Sequence, residues 1–212
     1  FLHPEQRQWV EREYSGPARV SGSAGTGKTI VALHRAAFLA RTNPDARVLL
    51  ATFSDTLAHA LHTKLRRLIG SEPRLGERID VHSLNTLGVR LYKSLIGPAK
   101  LASRNDIRDI LNSASQSVGG HKFSLSFLLS EWEQVEDAWQ LASWEAYRDV
   151  ARLGRKTRLP EAQRAVLWSI FEQCRAGLKK QGLTTQAAVF TNLGSELTKT
   201  NNQPFDFAVV DE

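Results

Sequence analysis

The sequence predicts an α/β fold, in which a parallel sheet is flanked by helices and interrupted by an all-helical insertion. Residues 1–97 alternate short apolar runs with helical patterns, as the strands and helices of such a sheet do. Between residues 98 and 183 the strand patterns disappear and helical patterns follow one another. We therefore expect two domains: a discontinuous sheet domain made of 1–97 and 184–212, and a helical insertion at 98–183.

A glycine-rich loop near the N-terminus carries the strongest chemical signal. Residues 22–29 fit the pattern G-x-x-x-x-G-K-[ST] and precede a helical pattern, which is typical of a loop that holds the phosphates of a nucleoside triphosphate. Backbone N–H groups would cradle the phosphates, Lys28 would reach the outer ones, and Thr29 would complete the coordination of Mg²⁺. The expected cofactors are ATP and Mg²⁺, and the expected contacts are Gly22, Ser23, Ala24, Gly25, Thr26, Gly27, Lys28 and Thr29.

A plain glycine-rich turn is the alternative interpretation of this loop, and its flanks argue against it. Residues 18–21 form a short extended run before the loop, and apolar residues recur at helical spacing after it until 43–45 end the helix. Two more strand candidates follow at 48–53 and 79–82. Each precedes a helix with leucines on one face, namely Leu57, Leu61, Leu65 and Leu68 in the first and Leu84, Leu87, Leu91 and Leu95 in the second.

The insertion contains tryptophans that could act either as core residues or as stacking platforms for bases. Four of the five occupy apolar positions of helical patterns, which favours core packing: Trp132, Trp139, Trp144 and Trp168. Pro160 separates a helix near 144–153 from a longer one, in which Cys174 has the spacing of a buried residue.

The C-terminus has the form of a second nucleotide-binding element. Residues 205–210 predict a buried strand, and Asp211 and Glu212 follow it directly. In P-loop ATPases such a strand ends in one carboxylate that holds Mg²⁺ and one that activates the attacking water. Asp211 and Glu212 would take these roles, although the pair alone could also be an ordinary strand end and polar turn.

The chain is basic, with a formal net charge of +6 and a pI near 9.7, which suggests a polyanionic partner. The excess lies between Arg148 and Lys180, where nine basic residues face three acidic ones. A solvated helix face is the alternative. If the segment binds single-stranded DNA, reversing the charge of Arg155 and Lys156 should reduce the salt dependence of binding.

The sequence shows no apolar run of about 18 residues and no signal-peptide pattern, so we expect a cytoplasmic protein. It has no methionine and begins at Phe1, which suggests that it is not a complete gene product.

The order of these motifs resembles the first RecA-like domain of superfamily 1 helicases of the UvrD/Rep type, a P-loop NTPase domain with a helical insertion. Residues 2–7 look like the family's Q motif, so the resemblance implies that Gln6 reads the adenine edge. Residues 52–54 and 81–84 look like its segments that contact single-stranded DNA, which implies contacts by Phe53, Ser54, His82 and Ser83. It also implies a second RecA-like domain, absent from this chain, that supplies transition-state arginines.

The residue chemistry is compatible with those contacts, because a phenylalanine ring can stack on bases and hydroxyl or imidazole groups can bond phosphates. The leading hypothesis is an ATP-dependent DNA helicase or translocase on single-stranded DNA, with RNA as the alternative substrate, and this fragment alone is expected to hydrolyse ATP poorly. The alternative is a nucleotide-dependent protein that remodels a partner such as RNA polymerase and grips it with its basic helices. A small-molecule kinase fits poorly with the helical insertion and the Asp-Glu pair.

Overall fold

A computed structural model of the chain describes residues 2–152, 158–201 and 203–211. Arg155, Lys156 and Glu212, which the sequence singles out, lie outside the described residues. The chain divides into two compact units, Phe1–Arg90 with Leu197–Glu212 and Leu91–Glu196. Within the described ranges, no helix combines the length and apolar character needed to cross a membrane.

The first unit contains a three-stranded parallel sheet in the order β2-β1-β3. The strands are β1 (Val48–Thr52), β2 (Ile79–Ser83) and β3 (Phe207–Val210). The register places Ala51 opposite both His82 and Val210, so the carboxyl ends of all three strands lie at one edge. Helices of this unit are α1 (Pro4–Glu11), α2 (Lys28–Thr42), α3 (Asp55–Leu68) and α4 (Pro73–Gly76); α5 (Leu84–Leu95) begins in it.

One apolar core holds the sheet to α2 and α3. Alternate residues of β1, Val48 and Leu50, are fully buried among α2 residues such as Ala36 and the α3 residues Leu61 and Leu65. The three strands at 48–53, 79–82 and 205–210 and the helices between them are thus confirmed, with ends that differ by one or two residues. This is the mixed α/β class that the sequence predicts.

The extended run at 18–21 is not part of the sheet. In the described residues β3 pairs only with β1, and 18–21 has no ladder partner. Val20 is 41% exposed. Together with Val210, it lines a cavity of about 310 Å³. An extended segment becomes a strand only where a neighbouring backbone bonds its N–H and C=O groups, and among the described residues 18–21 forms no such ladder.

The regular elements of the second unit are all helical in its described residues, apart from one isolated bridge between Leu101 and Thr184. Its core joins side chains from several helical segments, among them Trp132, Tyr147 and Phe171, all essentially buried. Cys174 is buried, as expected. The elements are α6 (Arg104–Val118), α7 (Leu125–Glu131), a π-helical turn (Trp132–Glu136), α8 (Asp137–Trp139), α9 (Trp144–Asp149), α10 (Glu161–Lys180) and α11 (Gln186–Thr200), whose last residues reach the first unit.

The π-helical turn corrects the assignment of Trp139 to the core. Trp132 and Val135 are buried, but Trp139 is 65% exposed. Helical spacing places these three residues on one face only if every turn is α-helical. A π-turn adds one residue to its turn, here with the Asp137 N–H donating to the Trp132 carbonyl, and it rotates the following residues away from the core.

Part of the basic segment is engaged within the second unit. Arg152 pairs with the fully buried Glu131 at 2.6 Å, and Arg175 pairs with the nearly buried Glu136. Arg164 donates to backbone carbonyls, including that of Tyr147 at 3.2 Å. Three of the nine cations therefore neutralise buried acids or cap backbone groups instead of forming a free basic surface.

Candidate nucleotide and nucleic-acid sites

The glycine-rich loop leads directly into α2. Gly25 and Gly27 have φ values of +81° and +85°, a left-handed conformation that favours glycine, and Gly27 is the N-cap of α2. Among the described residues, no side chain caps the first turn of this helix. Its open N–H groups and the helix dipole therefore suit an anion.

In this structure, side chains of the loop donate hydrogen bonds to carbonyl groups of the same loop. Lys28 Nζ donates to the carbonyls of Gly22 at 2.9 Å and Ser23 at 3.1 Å, and the Thr26 hydroxyl donates to the Ser23 carbonyl at 2.8 Å. Phosphate oxygens are acceptors of the same kind with greater charge. Lys28 can exchange the two carbonyls for phosphate without a change of fold.

Gln6 contacts the loop through its amide. Its Oε1 accepts from the His3 N–H at 3.1 Å, which completes a capping box at the start of α1, and its Nε2 donates to the Thr26 carbonyl at 3.0 Å. A Cβ on Gly27 would lie 2.7 Å from that nitrogen. The glutamine and the loop are thus packed together, and the amide must release these partners before it can bind a base edge.

Asp211 follows β3 and lies in the same cavity as Lys28. Its N–H donates to the Ala51 carbonyl at 2.8 Å, which extends the β1–β3 ladder by one bond. Lys28 and Asp211 both line the cavity of about 310 Å³, together with Trp9, Tyr14 and Arg35. Folding therefore brings the N-terminal loop and the C-terminal carboxylate to one place.

The residues of the loop and of the strand end fit a magnesium nucleotide. In the described ranges no group of three acidic, histidine or cysteine side chains could hold a metal by itself. Mg²⁺ needs fewer protein ligands than that, since it binds through one or two protein oxygens plus water and phosphate oxygens. The Thr29 hydroxyl at the start of α2 and the Asp211 carboxylate supply oxygens of that kind.

Sequence reasoning missed Arg35, whose position explains how the N-terminal helix is fixed beside the loop. Arg35 donates from α2 to the carbonyls of Val10 and Arg12 at 2.5 and 2.8 Å, and its guanidinium lies 5.0 Å from the centre of the Tyr14 ring. Contacts with main-chain carbonyls far away in sequence leave no pattern in the chain, so this role could not be read from residue spacing.

The expected nucleic-acid contacts lie at the carboxyl edge of β1 and β2. Phe53 is 78% exposed, and the Ser54 hydroxyl caps α3 by accepting from the Leu57 N–H at 3.3 Å. His82 Nε2 lies 2.6 Å from Arg90 Nη1. Burial, and then the charge of Arg90, lower the pKa of His82 below its usual value. Because guanidinium only donates, Nε2 accepts, and the proton of the neutral ring is on Nδ1.

Ser83 differs from the other three because it is 2% exposed and its hydroxyl is already engaged. The hydroxyl donates to Asp55 Oδ1 at 2.5 Å and accepts from the Thr86 N–H at 3.2 Å. The Thr86 hydroxyl donates to the same Asp55 oxygen at 2.8 Å. These hydrogen bonds, that from Ser83 first, lower the pKa of Asp55 below its usual value.

Sequence reasoning missed Asp55, Thr86 and Arg90. The only available signal for Asp55 was an acidic residue after a serine N-cap, which is common at helix starts and indicates no partner. The contacts of Asp55 with Ser83 and Thr86 arise because β1 and β2 pair in parallel register, and no local pattern predicts that.

Comparison with known proteins agrees with the order of these motifs. The chain matches the family described as UvrD/REP helicase N-terminal domain over residues 2–207. No curated protein matched it. Since the match covers nearly the whole chain, and the sheet, the loop and the helical insertion are all present, the chain belongs to the UvrD/REP helicase N-terminal domain family.

Proposed function

We propose that this chain is the ATP-binding part of a helicase or translocase that moves on single-stranded DNA. Membership in the helicase family supports an ATP-binding helicase role. The observation that carries the finer proposal is that Lys28 and Asp211, from opposite ends of the chain, line one cavity that runs along α2.

Each residue has a distinct task in this proposal. The N–H groups of residues 22–29 hold the phosphates, Lys28 neutralises the outer ones, and Gln6 reads the base. Thr29 and Asp211 hold Mg²⁺, which when bound neutralises charge on the phosphate oxygens. Glu212 orients the attacking water.

The sheet offers a direct route from the nucleotide to the polynucleotide. The Asp211 N–H is bonded to the carbonyl of Ala51, and the exposed Phe53 ring lies two residues further along the same strand end. A shift of Asp211 during hydrolysis therefore acts on the backbone that carries Phe53. We propose that Phe53, Ser54 and His82 form the nucleic-acid contact, with Phe53 stacking on bases. The expected contact by Ser83 is not proposed, because its side chain is buried and its hydroxyl is bonded to Asp55 and Thr86.

The proposed nucleotide site is completed by a second domain. We propose that a second RecA-like domain supplies arginines that stabilise the transition state, so that residues 1–212 alone hydrolyse ATP slowly.

The proposal also covers the domain boundaries, the compartment and the basic segment. We propose that the domain boundaries follow the expected ranges, 1–97 with 184–212 and 98–183, and that the protein acts in the cytoplasm. Arg155 and Lys156 remain proposed DNA contacts of the basic segment. The remodelling alternative loses support, since Arg152, Arg164 and Arg175 are engaged internally.

Steady-state ATP hydrolysis by the intact protein, with and without single-stranded oligothymidylate, tests the proposal. We expect stimulation by single-stranded DNA, weaker stimulation by RNA or duplex, and very slow turnover by residues 1–212 alone. Hydrolysis that no polynucleotide stimulates would contradict the motor, and rapid DNA-stimulated turnover by residues 1–212 would contradict the need for a second domain.

A further inference from the structure

A hydrogen-bonded cluster joins the starts of α3 and α5 at the carboxyl edge of the sheet. Asp55 is the first residue of α3, Ser83 is the last residue of β2, and Thr86 lies in the first turn of α5. Asp55 Oδ1 accepts from the Ser83 hydroxyl at 2.5 Å and from the Thr86 hydroxyl at 2.8 Å. A single carboxylate oxygen therefore connects the segment that follows β1 with the one that follows β2.

This connection lies beyond the end of the strand ladder. The paired register of β1 and β2 ends at Thr52 opposite Ser83, and Phe53 follows outside it. Packing does not hold the Phe53 ring, which is 78% exposed. The bonds from Ser83 and Thr86 to Asp55 are thus side-chain contacts that fix the backbone around Phe53 relative to that around His82.

Because Asp55 is negatively charged, it is not expected to contact the phosphates of nucleic acid directly. A carboxylate repels phosphate, so simple electrostatics predicts tighter binding when the charge is removed. Two hydroxyl donors on one oxygen instead indicate that the group serves to hold the two segments together.

We propose that Asp55 is a positioning residue that holds Phe53 and His82 in the geometry that binds single-stranded polynucleotide, acting through Ser83 and Thr86. The inference rests on the proposed function and adds to it a residue that touches no nucleotide. Asparagine retains an oxygen that can accept from both hydroxyls, whereas alanine does not. The two substitutions therefore separate position from charge.

The experiment measures the affinity of the intact protein for fluorescent oligothymidylate by anisotropy at one fixed salt concentration. We expect Asp55→Ala to weaken binding about tenfold and Thr86→Val about threefold, which are the losses expected for hydrogen bonds with a charged acceptor. Asp55→Asn is expected to stay within about twofold of the wild type. Thr63→Val is the matched control, because within the described residues the Thr63 hydroxyl bonds to the His59 carbonyl of its own helix, at 3.0 Å, and to no other group.

A double-mutant cycle provides a second measurement that loss of stability alone would not change. Phe53→Ala and His82→Ala should be coupled in the wild type, and the coupling should disappear in the D55A background. Binding by Asp55→Ala that equals or exceeds that of the wild type, while Phe53→Ala weakens it, would overturn this inference alone. Absence of single-stranded DNA binding by the wild type would remove the proposed function, and this inference with it.

Discussion

Phe53 is a phenylalanine that directly follows a fully buried strand and yet remains largely exposed. Its ring contributes little to the core, so its replacement should leave the free energy of unfolding nearly unchanged. We expect Phe53→Ala to cost about 1–3 kcal/mol of affinity for single-stranded DNA, because base stacking on an aromatic ring contributes about that much. Trp139→Ala, at an exposed aromatic of the helical unit, is the control and should bind normally.

Glu136 gives the helical unit a pH-dependent stability. Burial raises its pKa to about 7, because the cost of removing the carboxylate from water exceeds the attraction of Arg175. Because the pKa of Glu136 is higher in the folded protein than in the unfolded chain, the protonated carboxyl contributes to the free energy of unfolding. This contribution is fully present below about pH 4.5, the unfolded value, and is lost as the pH rises through about 7. Glutamine imitates the protonated form at every pH.

Glu136→Gln should therefore become more stable relative to the wild type as the pH rises from about 4 to about 8, by on the order of 3 kcal/mol. Urea unfolding at several pH values measures this difference. A difference for Glu136→Gln that stays constant with pH would show that the buried acid is charged throughout this range.

At the scale of elements, the sequence predicted regular segments well and irregular ones poorly. The strands β1 to β3 and the helix after the glycine loop follow from apolar runs and glycine positions, both of which are local. The π-turn at 132–136 and the unpaired run at 18–21 depend on neighbours in space. Helical spacing therefore put Trp139 in the core, where the fold leaves it exposed, and the short extended run before the loop has no ladder partner among the described residues.

Helix α10 packs closely on α6 at Gly177. A Cβ at this position would lie 2.6 Å from Ile110 Cγ2, so alanine forces the isoleucine or the helices to shift. We expect Gly177→Ala to destabilise the helical unit by about 1–3 kcal/mol, the usual cost of overpacking. Gly194→Ala is the matched control, since a Cβ there meets nothing within 4 Å and alanine favours helix, so it should stabilise by up to about 1 kcal/mol. Equal effects of the two substitutions on thermal unfolding would contradict this packing.

For the whole molecule, the motifs at the two ends of the chain meet because the sheet is parallel. The strand order places Asp211, Phe53 and Ser83 at one edge, beside the start of α2. The sequence identified Lys28 and Asp211 through motif chemistry, and their placement in one cavity required the structure. Asp55 and Thr86 could not be identified from sequence, because they meet through the pairing of β1 with β2, and the contact of Arg90 with His82 depends on how α5 follows β2.

The most direct test of the account is calorimetric titration of ATP with Mg²⁺ into the wild type, Lys28→Ala, Asp211→Asn and the control Lys64→Ala, at an exposed lysine of α3. We predict that the wild type and Lys64→Ala bind one ATP per chain and gain thermal stability from it. Lys28→Ala should bind ATP at least about tenfold more weakly, since it removes a charged hydrogen bond. Asp211→Asn should lose the part of the ATP affinity that depends on Mg²⁺. Unchanged ATP affinity in Lys28→Ala would contradict the assignment of this cavity as the nucleotide site.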